Sequence, residues 1–280
     1  MWASARAGSN PAPGIFIFSK MRPFLSFILI NFRLAKDLIR CVDSILSSSM
    51  DFPFEIIVVN VPSGDGTEAF AAQHPEIRLL TAEKFSISGL RNIGLKASLG
   101  KYKLILDTDL VLAKDAVSNG IELMESEPSI AVAGFDLISE DGSSQFNGRR
   151  FPTPLTILAR RTPLGRSILR WEIKRHLYED ADRNQDFEVD WVSGATMLMR
   201  GSALRDIGLL DERFVYGFED VDWCYRAKQM GWKVFLSGRS KAVHRQHRRS
   251  ARSLWFAYQH LRSAALFYQK HGFKSIFGRI

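Results

Sequence analysis

An α/β fold organised around a doubly wound, mostly parallel sheet is what this 280-residue sequence predicts, and three observations predict it. From Pro23 onward, short apolar runs alternate with segments of helical periodicity, the pattern of consecutive βα units. An apolar fraction of 46% at this length suffices for a large core domain with a smaller lobe. The apolar run Tyr102 to Leu106, bounded upstream by Gly100, stops on Asp107-Thr108-Asp109. A buried strand ends this way when it delivers charge to the sheet edge, where ligands bind in open α/β folds.

Leu25 to Ile30 reads as the first strand, and Leu34, Leu38, Ile39, Val42, Ile45 and Leu46 recur at helical spacing after it. Glu55 to Val59 is the second buried strand. The turn Pro62-Ser63-Gly64-Asp65-Gly66-Thr67 follows, with Thr67 placed to cap a short helix from Glu68 to Gln73. Ile77 to Leu80 supplies a third strand, and Gly89 to Ser98 a helix closed by Gly100. Lys114 to Glu127 is helical, and Ile130 to Ile138 is a strand ending in the turn Glu140-Asp141-Gly142, so a first half is expected over residues 23–140. A second half, 141–244, opens with Gln145 to Asp186. Its Arg149, Arg150, Pro152, Pro154, Arg160, Arg161, Pro163, Gly165 and Arg166 read as a mobile, irregular basic loop over a site, or as an ordinary long surface loop. Val189 to Ser193 and Met197 to Met199 flank Gly194-Ala195. Ser202 to Ile207 and Asp220 to Met230 then read as helices and Val234 to Leu236 as a strand. Residues 245–280 form a basic aromatic tail around a final helix, Leu254 to Lys270.

The net charge of +8 is unevenly placed, because no Asp or Glu follows Asp222 while Arg245, Arg248, Arg249, Arg252, Arg262, Lys270, Lys274 and Arg279 crowd the end. Such a tail suits phosphate groups, acidic lipid head groups or nucleic acid, and it equally suits a helix packed on the core with a solvated basic face. No apolar stretch approaches the ~18–20 residues that span a bilayer. Cys41 and Cys224 stand far apart without metal-ligand spacing, which fits a reducing compartment and hints at no zinc site. Residues 1–22 mix Ala, Ser, Gly and Pro without the apolar centre of a secretory signal. They are expected to be a disordered extension, with Met21 a candidate alternative start.

Two acidic clusters carry the chemistry. In an extended segment, residues two apart project to the same side, so Asp107 and Asp109 can converge on a hard cation and its bound diphosphate. A solvated turn is the plain alternative. In Gly217-Phe218-Glu219-Asp220-Val221-Asp222-Trp223, three carboxylates fall in four residues where a loop enters a helix. Carboxylates there often serve only as caps or dipole partners. Here the apolar bulk of Phe218, Val221 and Trp223 can raise the pKa of one, making a general base; Asp220 is the expected one, with Glu219 beside it.

The segments SFILINFR, EIIVVN, SGDGT, GLRNIGLKASLGKYKLILDTD, DWVSGATMLMR, IGLLDERFVYGFEDVDWCYRAKQMGWKV and AVH follow one another from Pro23 to about Gly272. In that order they resemble the inverting GT-A glycosyltransferases of the large family that includes bacterial rhamnosyltransferases. The resemblance implies a nucleotide-sugar-binding first half and an acceptor-binding, catalytic second half. It places Asp107 beside the nucleotide ribose and Asp109 on Mg2+ or Mn2+ at the donor diphosphate, with His244 meeting the metal or the diphosphate. Asp220 would be the base. Phe32, Asn60, Asp65, Arg91 and Asn92 would surround the donor, Phe32 stacking on the base or packing in the core, and Arg91 reaching base or phosphate.

The sequence departs from the family at two places. Asn60-Val61 stands where Asp-Asn is usual, replacing a carboxylate with an amide whose carbonyl still accepts a hydrogen bond. After His244 the run Arg245-Gln246-His247-Arg248-Arg249-Ser250 is more basic and lacks the Trp of the processive QxxRW signature. The expected protein therefore moves a single hexose or deoxyhexose, rhamnose being one option, from a nucleotide diphosphate sugar to a lipid-linked or polysaccharide acceptor. It is expected to be cytoplasmic, with the tail offering contact to the anionic inner face of the membrane and no role for nucleic acid. A catalytically inactive scaffold of the same fold is the alternative that Asn60 raises, and a basic nucleic-acid-binding module is the alternative from another class.

Overall fold

A computed structural model describes residues 22–245 and 254–272. Apart from Arg22, the expected N-terminal extension lies outside the described residues, as do the basic stretch 246–253 and residues 273–280. The chain begins β1 (Leu25–Asn31), α1 (Ala35–Leu46), β2 (Phe54–Asn60), α2 (Thr67–Gln73), β3 (Ile77–Thr81), α3 (Ile87–Ala97) and β4 (Tyr102–Asp107). These four strands lie side by side in the order β3-β2-β1-β4, all parallel. Both of their faces are apolar because helices cover both: Leu25, Phe27 and Leu29 pack with Leu38, Val42 and Ile45 of α1, whereas Ile57 and Val59 pack with Leu90 of α3.

The chain continues with β5 (Leu110–Leu112), α4 (Ala116–Ser126), β6 (Ile130–Ile138), β7 (Gly148–Arg149), α5 (Pro154–Arg161), α6 (Pro163–Ile168), α7 (Arg170–Leu177), β8 (Phe187–Glu188), β9 (Trp191–Val192) and β10 (Thr196–Arg200). It closes with α8 (Gly201–Ile207), α9 (Glu219–Gln229), β11 (Lys233–His244) and α10 (Leu254–His271). The sheet extends from β4 through β10, β6 and β11 to β5, with β8 also pairing β11, so strands from both sides of residue 140 share one sheet. Here the parallel rule breaks: β10 runs antiparallel to both β4 and β6. That reversal sets the loop before β10 beside the C-terminal end of β4, and the Asp107 N–H donates to the Ala195 carbonyl at 2.9 Å.

Three expectations are corrected. The segment expected as an irregular loop contains α5, α6 and α7. Pro154 and Pro163, read as breakers, occupy the first helical turn, where a missing N–H costs nothing. Thr153 and Thr162 cap those helices through hydrogen bonds from Thr156 and Gly165. Glu172 of α7, buried, accepts from Thr153 and Thr156 and pairs with Arg175, tying the helices together. The second correction concerns Thr67, which is the first helical residue rather than the cap; the Asp65 carboxylate takes its N–H at 3.2 Å. The third concerns the expected three-residue strand at Val234, which is the twelve-residue β11 with two register shifts.

The final helix packs on the domain. Ala264 and Phe267 enter the core shared with Phe218, Val221 and Trp223 of the α9 region. Asp222, fully buried, takes Arg226 at 2.9 Å, Lys270 at 2.7 Å and His271 at 2.8 Å, so one of the three clustered carboxylates pins α10 to α9. Burial pushes the Asp222 carboxyl up, but hydrogen bonds from His271 and Lys270 and the charge of Arg226 outweigh it and hold the pKa below the usual range. Asp222→Asn is expected to lose about 3 kcal/mol of stability in urea titrations near neutral pH. Because the folded pKa is depressed, this contribution is complete above the unfolded value of about 3.9 and disappears as pH falls through the folded one. The gap between wild type and variant should therefore close in acid, and a gap independent of pH would contradict the assignment.

Candidate active site

The C-terminal ends of β1, β2 and β4, the loop before α2, helix α3, the start of α9 and the end of β11 supply the predicted site residues. Asp107 is the last residue of β4, and Asp109 sits in the step into β5. β5 pairs antiparallel with the end of β11, with Leu110 opposite His244, so strand register brings a residue from far along the chain against Asp109. His244 Nε2 lies 3.3 Å from an Asp109 carboxylate oxygen. Its Nδ1 is 2.6 Å from Gln145 Oε1, and Gln145 Nε2 donates to the His244 carbonyl at 2.8 Å. With Oε1 accepting from Nδ1–H, Nε2 is left for a ligand, the usual arrangement behind a metal-binding histidine. One donor atom each from Asp107, Asp109 and His244 fall within 4.8 Å of one another. Two carboxylates and an imidazole make a donor set suited to a divalent ion such as Mn2+ or Mg2+, so the residues present fit such a group.

Burial lowers the pKa of His244, but the hydrogen bond to Asp109 and the charges of Asp109 and Asp107 outweigh it, and the net shift is upward. The Asp107 carboxyl is also raised, by desolvation first, with Arg91 opposing and Asp109 reinforcing. A third of the Asp107 side chain is open to solvent, so the desolvation is partial.

Arg91 of α3 joins this cluster to the second one. Only 2% exposed, it donates through Nη2 to Asp107 at 2.9 Å and to the Gly194 carbonyl at 2.7 Å, and through Nη1 to Glu219 at 2.7 Å. The Gly194 N–H in turn donates to Asp220 Oδ2 at 2.8 Å. A side chain at 194 would displace Arg91 from these bonds, since a Cβ there would lie 2.0 Å from Arg91 Nη1. Arg91, expected at the donor base or phosphate, makes these hydrogen bonds with protein groups. Its binding there links the two acidic motifs.

At the start of α9, Phe218 adopts φ 71° after Gly217 at 75°, turning the chain so that Glu219 and Asp220 open the helix. Asp220 is 9% exposed; besides Gly194, its Oδ1 accepts the Val221 N–H at 2.8 Å. Each oxygen keeps a second lone pair. The apolar surroundings raise Glu219: burial is the main cause, the charge of Asp220 adds to it and Arg91 opposes. Glu219 Oε2 is buried with no hydrogen-bond partner. One guanidinium faces Asp107, Glu219 and Asp220 together, and that excess of negative charge adds to the upward effect of burial.

The remaining donor-side residues divide. Phe32 is half-buried, its ring 5.3 Å from that of Phe85 with the Arg33 guanidinium 5.0 Å above it. Asn60 is buried, its carbonyl accepting from Asn31 at 2.9 Å and its amide donating to Glu68 at 2.8 Å. Asp65 accepts from the Ala35 and Thr67 N–H groups and from Asn31, tying the loop after β2 to α1. Burial raises its pKa, and those hydrogen bonds more than offset this. Asn92 is bound on both sides to the 210–212 loop, donating to the Leu210 carbonyl and Glu212 and accepting from the Leu210 N–H, so it braces that loop. Gln145 and Gly194 were not singled out from the sequence as site residues. Both act through partners distant in sequence, and only Gly194 had a signal, its place in the DWVSGATMLMR segment. A cavity of ≈ 540 Å³ lined by Arg22, Lys101, Lys103, Arg200 and Arg205 opens at the opposite end of β4, away from both acidic clusters.

Residues 26–208 match the family model Glycosyl transferase family 2. The chain belongs to that family. It is 26% identical over 251 residues to the uncharacterized glycosyltransferase YfnE of Bacillus subtilis, covering 77% of this chain and 64% of YfnE. It is 24% identical over 221 residues to the N-acetylglucosaminyl-diphospho-decaprenol L-rhamnosyltransferase of Mycobacterium tuberculosis, covering 72% of this chain and 70% of that protein. Its GT-A fold is shared with the mannosyltransferase PcManGT of Pyrobaculum calidifontis, solved with GDP-Man and Mn2+, at a TM-score of 0.59 and 18% identity over 90% of this chain and 65% of that one.

Added Mn2+ is expected to raise the melting temperature, since a ligand that binds the folded state stabilises it. Asp109→Ala should abolish the shift. Only neutral imidazole ligates, and the His244 pKa is raised, so the shift should fade as pH falls and begin to do so above the ordinary imidazole value of about 6.5. A shift equally large in Asp109→Ala would remove this cluster as the metal site.

Proposed function

We propose that the chain is an inverting glycosyltransferase that moves one hexosyl or deoxyhexosyl unit from a nucleotide diphosphate sugar to a lipid-linked or polysaccharide acceptor. The bridge from Asp107 through Arg91 to Glu219 and Gly194 carries the reading, because it fixes a cation-suited cluster and a base-suited carboxylate on one sheet edge. Asp107, Asp109 and His244 hold the divalent ion, which when bound neutralises the negative charge developing on the departing diphosphate. Asp220 accepts the proton of the acceptor hydroxyl as that oxygen bonds to the anomeric carbon from the face opposite the diphosphate. The bond to the diphosphate breaks, and configuration inverts. Glu219 and Arg91 position the start of α9 for this step, and Phe32 borders the donor base.

Support for a lipid-linked acceptor comes from the mycobacterial relative, whose name specifies a diphospho-decaprenol substrate. A cytoplasmic location at the inner membrane face suits that acceptor, and among the described residues no helix is long and apolar enough to cross a membrane.

Incubation with a panel of nucleotide sugars and Mn2+ is expected to give metal-dependent transfer or donor hydrolysis. Asp220→Asn should lower turnover by roughly 10²–10⁴-fold while donor still shifts the melting temperature. Asp109→Ala should lose both. NMR of the product should show the anomeric configuration opposite to the donor's. Undiminished turnover in either variant, or retained configuration, would refute the assigned roles.

A further inference from the structure

We propose that the outer surface of the α5–α7 insert docks on an anionic lipid bilayer. Among the large hydrophobic side chains the fold leaves in solvent, four fall between residues 158 and 171: Leu158, Leu164, Ile168 and Trp171 are 52%, 70%, 65% and 58% exposed. They are not core residues out of place, for the inner side of α5 is already satisfied. Ala159 is buried, and Ile157 packs on the core beside α9. A Cβ at Gly165 would come within 2.6 Å of the Leu158 carbonyl oxygen, so glycine lets α6 fold tightly against the last turn of α5. Leu164 and Ile168 lie one turn apart on α6 and share a face.

Charge selects the occupant. Arg160, Arg166, Arg170 and Lys174 are exposed on the same three helices. Their one carboxylate, Glu172, is buried against Arg175. A protein partner of mixed surface charge leaves such a one-sign cluster unmatched, whereas an anionic headgroup layer meets it while the apolar side chains enter the acyl boundary. The insert hangs from β7, which pairs with β9, and β9 leads into Gly194 and hence to Asp220. A docked insert therefore holds the catalytic edge close to the bilayer. This face goes beyond the proposed transfer, and each can fail without the other.

Flotation of the full chain with phosphatidylglycerol-containing vesicles, compared with pure phosphatidylcholine vesicles, tests it. Binding to the anionic vesicles alone is expected, weakened roughly tenfold or more by Leu164→Ser with Ile168→Ser and, separately, by Arg166→Glu with Arg170→Glu. Trp255→Ser with Tyr258→Ser, on the exposed side of α10, should leave binding within about twofold. Donor hydrolysis in solution should be unchanged in all three variants, which separates failure of docking from failure of catalysis. The proposal is overturned if the wild type does not float, if either insert variant floats undiminished, or if binding disappears in the α10 variant alone. A concentration-dependent dimer lost in Leu164→Ser with Ile168→Ser would assign the face to a second copy of this chain and overturn it as well.

Discussion

One buried guanidinium holds the site together. Arg91 reaches Asp107 at the end of β4, Glu219 at the start of α9 and the Gly194 carbonyl before β10, three segments with no local reason to meet. Burying a cation is costly unless it is paired and hydrogen-bonded, and removing one partner of such a set leaves an uncompensated charge. The arrangement is accordingly intolerant of change: a side chain at Gly194 would push Arg91 out of place, and Arg91 cannot leave without stranding Asp107 and Glu219 together. Even with Arg91 present, carboxylates outnumber cations along this edge. Burial is the first cause that raises Asp107 and Glu219, that imbalance adds to it, and the excess of negative charge suits the edge to a divalent ion.

The antiparallel β10 makes this geometry available. In a wholly parallel sheet, every strand would present its C-terminal end at the ligand-binding edge, and each loop entering a strand would lie at the other. Reversing β10 puts Ser193-Gly194-Ala195 beside Asp107, where Gly194 holds Arg91 through its carbonyl and Asp220 through its N–H. The reversed pairing of β5 with β11 does the same for His244 and Asp109. Two departures from parallel order thus build the two halves of the site.

Around this edge, charged residues divide between scaffold and chemistry by their partners. Asp222, two residues after the candidate base, is fully buried and anchors α10 through Lys270 and His271, while the hydrogen bonds of Asp220 among the described residues come from the backbone N–H groups of Gly194 and Val221. Asp65 and Asn92 likewise brace loops. Sequence proximity to a motif did not separate these roles; hydrogen-bond partners did.

The sequence by itself determined the alternation of strands and helices, the placement of Asp107 at a strand end and of Glu219 and Asp220 at a helix start, because periodicity and local punctuation act over a few residues. It also carried the family resemblance, through ordered segments. It misread the 154–177 insert because Pro and Gly signal breaks and helix starts alike, and only the Thr153 and Thr162 caps with the buried Glu172 select the helices. Tertiary structure alone decided that Arg91 binds protein carboxylates, that Gln145 orients His244, and that β10 is reversed. Each depends on atoms brought together from distant positions, by sheet register and by the electrostatic need to pair a buried charge, and neither leaves a local trace in the chain.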